Sequence, residues 1–106
     1  MDPQTPEFLK KVITDAAGMM AFRLCALGTE LGLFADLATN GPATSQEMAA
    51  RTGMNERYLR EWIYGTAAAG YLEFDKKSRK ASLPEVLVPV LVEVGGPVYQ
   101  GGLFKM

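Results

Sequence analysis

A mainly α-helical fold with one small β-hairpin, a winged helix-turn-helix unit preceded by apolar N-terminal helices, is predicted by three features of the 106-residue sequence. From Asn55 to Gly70, the residues Leu59, Trp62, Ile63 and Thr66 recur at helical spacing, with Glu56, Arg57, Arg60, Glu61 and Tyr64 on the opposite face. Thr44 to Thr52 reads as a shorter helix that stops at Gly53. The stretch YLEFDKKSRKASL alternates on either side of a basic turn, the pattern of a two-stranded ribbon.

Taken in order, the chain opens with Thr5-Pro6-Glu7, where Thr5 is expected to cap a free N–H, Pro6 needs no donor in the first turn and Glu7 complements the helix dipole. The helix then passes through Phe8, Leu9, Val12, Ile13, Ala16, Met19, Met20, Phe22, Leu24 and Leu27. Beyond Ala16 its apolar residues keep to no single face. A domain this small has little with which to cover such a helix, so a partner surface is expected, with Met19, Met20, Phe22, Leu24 and Leu27 as the dimer interface. Arg23 interrupts that stretch, either reaching the edge of an interface or pairing with Glu30 or Asp36.

Gly28 is expected to interrupt the helix and Thr29 to cap a restart carrying Leu31, Leu33, Phe34 and Leu37 as far as Asn40-Gly41-Pro42. Thr44 lies three residues before Glu47, the spacing of a capping box. Gly53 supplies a left-handed residue and Asn55 caps the long helix. In the ribbon, Leu72 and Phe74 share a face that Ala81 and Leu83 meet from the returning strand. The organisation expected is residues 1–43 as apolar dimerisation helices, 44–83 as the winged unit and 84–106 as an apolar, glycine-rich linker.

The chemistry available is narrow. The chain has no histidine and a single cysteine, Cys25, so the commonest general base and a thiolate metal site are both missing. Cys25 sits in an apolar run and reads as a small buried hydrophobe, which leans towards a reducing, cytoplasmic setting. The N-terminus lacks the basic-then-apolar order of a signal peptide, and the uncharged stretches between Ala16 and Leu37 are too short to span a bilayer. Gly95-Gly96 and Gly101-Gly102 do not have phosphate-loop context. No catalytic, cofactor-binding or metal-ligating residue is expected in this chain.

As a DNA reader the long helix would present Asn55, Arg57, Tyr58 and Arg60 to base edges, with Lys76, Lys77, Arg79 and Lys80 of the wing on phosphates. Against this, the net charge is -1, and Glu56–Arg60 and Arg57–Glu61 lie at intrahelical pairing distance. DNA-binding regulation is therefore the alternative rather than the leading expectation. Met19 and Met20 suit a core or dimer interface, or less commonly an adaptable pocket, and Trp62 suits a core anchor.

The runs Glu56-Arg57-Tyr58-Leu59-Arg60-Glu61-Trp62 and Ala68-Ala69-Gly70-Tyr71-Leu72, with Leu31-Gly32-Leu33-Phe34 before them and Gly101-Gly102-Leu103-Phe104 after, are similar to the N-terminal winged-helix domain of class I S-adenosylmethionine-dependent methyltransferases of the small-molecule O-methyltransferase type. The resemblance implies a homodimer formed through the first helices and a wall or lid over a small-molecule substrate. It also implies that S-adenosylmethionine binds in a further, Rossmann-like domain expected beyond Met106. No residue here selects a methyl acceptor.

Overall fold

The computed structural model describes residues 2–105, with side chains through residue 103. The elements in order are α1 (Thr5–Glu30), α2 (Leu33–Asn40), α3 (Ser45–Thr52), α4 (Glu56–Ala68), β1 (Glu73–Asp75), β2 (Lys80–Ser82), a 3-10 turn at Glu85–Leu87, α5 (Val88–Leu91) and a closing 3-10 turn at Gly101–Lys105. This is the mainly α fold with one hairpin that the periodicities predict.

α1 departs from expectation at both ends. Thr5 is its first helical residue rather than its cap; the chain is turned in by Asp2, whose carboxylate accepts the Gln4 N–H at 2.7 Å and whose carbonyl accepts the Thr5 N–H at 3.1 Å. Gly28 does not break the helix, which runs on to Glu30, and Thr29 starts nothing. The reason is packing. A Cβ at Gly28 would lie 2.6 Å from the Phe34 ring and 2.7 Å from that of Trp62, so glycine lets α2 and α4 approach the α1 backbone. The turn falls instead at Gly32, which takes the left-handed conformation with φ +71°.

The helix-turn-helix forms as its caps predict. The Thr44 hydroxyl accepts the Glu47 N–H at 3.1 Å, and the Glu47 carboxylate returns to the Thr44 N–H at 2.9 Å. Gly53 is left-handed, and the Asn55 carboxamide accepts the Tyr58 N–H at 3.2 Å. Leu59, Trp62, Ile63 and Thr66 of α4 are buried, and meet Cys25, Leu33, Phe34, Leu37 and Met48 in one core. Each large apolar side chain so buried contributes about 1.5–3 kcal/mol. Trp62 is the anchor: its indole N–H donates to the Leu24 carbonyl at 2.8 Å, and its ring meets Phe34 edge-on at 5.3 Å. α4 is thereby tied to the last third of α1.

The wing pairs Glu73 with Ser82, Phe74 with Ala81 and Asp75 with Lys80, antiparallel. A third segment joins it. Ala43 and Ala81 exchange backbone hydrogen bonds of 3.0 and 2.8 Å, both side chains fully buried, so the loop before α3 is stitched to the wing. Residues 84–106, expected as a linker, carry two short helical turns and α5. Leu91 enters the core, the Gln100 N–H donates to the Val90 carbonyl at 2.7 Å, and the closing turn lies beside α1.

Candidate functional site

The first candidate surface is α1. At 1.5 Å per residue its 26 residues span about 39 Å, most of the 52 Å long axis of the molecule. Apart from the closing 3-10 turn, little packs on its first two-thirds, where Phe8, Leu9, Val12, Ile13, Met19 and Met20 are 58–63% exposed. That is a contiguous apolar surface of the kind that marks an interaction site.

The five residues expected at a dimer interface divide. Met19, Met20 and Phe22 are exposed, whereas Leu24 and Leu27 pack against the core of their own chain. Leu24 lies over Gly65 of α4. Arg23 is exposed and makes no ion pair among the described residues; Asp36, one partner considered for it, is held by Arg51 at 2.7 and 3.2 Å in a two-pronged contact between α2 and α3. Taken whole, Thr5–Glu30 is long and apolar enough to cross a membrane by length and composition, contrary to the count of uncharged stretches. Its last third is committed elsewhere, since Cys25 and Gly28 are buried in the core and Leu24 accepts the Trp62 indole.

The second surface is α4 with the wing. The predicted intrahelical pairs form, with Arg57–Glu61 at 3.6 Å and Arg60–Glu56 at 3.7 Å. Asn55 spends its side-chain oxygen on the cap. Tyr58, Lys76 and Lys77 are exposed, the two lysines in a turn built by Asp75, which accepts the Lys77 N–H at 2.9 Å and the Ser78 hydroxyl at 3.0 Å. Those bonds hold the Asp75 carboxyl below the usual carboxylate range. Between the start of α3, α4 and the wing lies an open cleft of about 260 Å³. Sequence reasoning missed two of its supports. The Ser45 hydroxyl donates to Glu56 across eleven residues, and Ala43 braces the wing. Neither spacing follows a helical or strand period, so no periodic signal marks them.

Cys25 is buried, and desolvation pushes its thiol up to about 11, the behaviour of a packing residue. Among the described residues no cluster of three or more Cys, Asp or Glu is placed to hold a metal. The residues present do not fit S-adenosylmethionine. Gly95-Gly96 follow the short α5 instead of a strand, and Gly101 opens a 3-10 turn directly beneath the Tyr99 ring, which a Cβ would strike.

Solved structures share this fold, among them two larger proteins. PigF, solved with SAH, superposes with a TM-score of 0.75 at 21% identity, covering 91% of this chain and 27% of its own. An O-methyltransferase family 2 protein from Planctomyces limnophilus, solved with apigenin, gives 0.69 at 22% identity, covering 90% and 28%. The chain thus spans little more than a quarter of the length of either, and at these identities the likeness is one of fold. No curated protein matches it. The model of the Rv2258c-like winged HTH domain, however, matches residues 17–92, well over half of the sequence and the whole of the helix-turn-helix and wing, and the chain belongs to that family.

Proposed function

We propose that this chain is the N-terminal dimerisation and substrate-lid domain of an S-adenosylmethionine-dependent methyltransferase, without catalytic activity of its own. One observation carries the reading: some nine-tenths of the chain shares its fold with about a quarter of two larger proteins, one an O-methyltransferase family 2 protein and the other solved with SAH. The exposed apolar face of α1 supports a homodimer, because a second copy of the same face would cover it. The cofactor belongs to a domain beyond Met106, and a small-molecule acceptor is enclosed between that domain and α1. The single, buried cysteine supports a cytoplasmic setting.

The test is the reading frame beyond Met106, expressed entire and titrated with S-adenosylmethionine by calorimetry. A glycine-rich loop following a strand, and cofactor binding by the longer protein but not by residues 1–106, are the expected results. A natural stop codon at that point would return DNA-binding regulation to the front.

A further inference from the structure

Independently of what covers α1, the cleft between α3, α4 and the wing has the composition of a ligand site. Ile63 lies behind its base, almost wholly covered, and one wall is the pair Tyr64–Phe74, edge-on at 5.3 Å and 88°. Arg60 and Arg79 line it from α4 and the wing. The carboxylate facing it, Glu56, is already met inside the chain by the Ser45 hydroxyl and by Arg60. Arg79 meets none. Among the described residues it makes no ion pair and no side-chain hydrogen bond.

The backbone of Arg79 is the second observation. With φ at +59° it is the single non-glycine residue in the left-handed region among those described, held there by its N–H donating to the Asp75 carbonyl at 2.7 Å. That conformation costs an L-residue about 1–2 kcal/mol, which glycine would avoid. A turn required only for its shape is better served by glycine or asparagine. Here the strained position carries a guanidinium on the lip of a cleft, and strain of this kind collects at functional positions.

We infer that the cleft binds a small aromatic carboxylate, its carboxylate on the Arg79 guanidinium and its ring against the wall formed by the Tyr64–Phe74 pair. The planar fork of arginine matches a carboxylate in two parallel hydrogen bonds. The Gln46 side-chain amide, which makes no hydrogen bond among the described residues, supplies a further donor at the α3 side. Ligands of drug size need roughly 300–1,000 Å³. At about 260 Å³ the cleft admits little more than one ring. A bare phosphate would leave the aromatic wall unused, and a nucleic-acid backbone would bring further phosphates towards Glu56.

The test is amide-resolved NMR on the 106-residue protein, titrated with benzoate. Benzamide, with the ring but no charge, and inorganic phosphate, with charge but no ring, serve as comparisons. Saturable shifts at Gln46, Ile63, Phe74 and Arg79 are expected with a Kd of about 1 mM, and binding about tenfold weaker for either comparison. Arg79→Gly separates binding from folding, because glycine is at ease at this φ: it should weaken benzoate about tenfold while the melting temperature holds or rises. Arg79→Lys, charged but without the fork, should fall between. A benzoate response that fails to saturate by about 10 mM, that phosphate equals, or that a folded Arg79→Gly retains in full overturns the inference.

Discussion

Gly18 and Gly28 lie ten residues apart in α1, yet substitution should act on them in opposite directions. A methyl group at Gly28 would strike the rings of Phe34 and Trp62, whereas nothing lies within 4 Å of the corresponding position at Gly18. Gly28→Ala should therefore destabilise by about 1–3 kcal/mol through overpacking. Gly18→Ala should stabilise by about 0.5–1 kcal/mol through helix propensity. Urea denaturation of the two variants checks both signs. Glu47 gives a second prediction at this scale. The Thr44 N–H and then the Thr44 hydroxyl hold its carboxyl below the ordinary range. A folded-state value that is depressed means stability present above the unfolded value and lost as pH falls through the folded one. The melting temperature should fall from about pH 5 to about pH 3, and Glu47→Gln should flatten part of that decline. These residue-level features were unevenly legible. The capping box is readable because it is a local spacing, but a clash at Gly28 with rings six and thirty-four residues away is not, and a glycine inside a helical pattern reads as a break.

Among the elements, α1 is two things in one helix. Its last third is a core strut, closed over Gly65 and tied to Trp62, and its first two-thirds are a largely uncovered apolar surface. Hydrophobic pattern alone merged the two, which is why Leu24 and Leu27 were grouped with Met19, Met20 and Phe22. The division makes a prediction. Met20→Lys should abolish the proposed dimer, with light scattering as the readout, while changing monomer stability by no more than about 0.5 kcal/mol, as for other exposed positions. Leu24→Lys should instead unfold the domain, because it places a charge in the packed seam. A protein that is monomeric before any substitution would count against the proposed dimer. α3, α4 and the wing were legible almost to the residue, since caps, periods and turn residues agree there. The Ala43–Ala81 bridge escaped notice because a one-residue pairing has no alternation to detect.

For the whole molecule, charge decides between the readings that the fold permits. The outline of helix, turn, helix and wing serves several roles, so the fold leaves function open. With a net charge of -1 and both α4 arginines facing carboxylates, specific DNA binding has little to rest on. A gel-shift series at low salt should show weak binding at most, without sequence preference and lost on adding salt; tight, selective binding would sink the methyltransferase reading. What α1 and the cleft would hold is the least legible part of the sequence, because a surface to be completed by another molecule writes only one half of itself into this chain.

The hydrogen bond from Trp62 to Leu24 has a practical corollary. Trp62 is the only tryptophan in the chain, and its indole is 2% exposed and fastened to the backbone of the very helix whose other end is bare. Its emission is consequently a built-in optical gauge of how α1 is seated. Any event that rocks the helix on its mount, whether a second copy closing on it or a neighbouring domain pressing down, will be written in the colour of a single fluorophore, with no label attached.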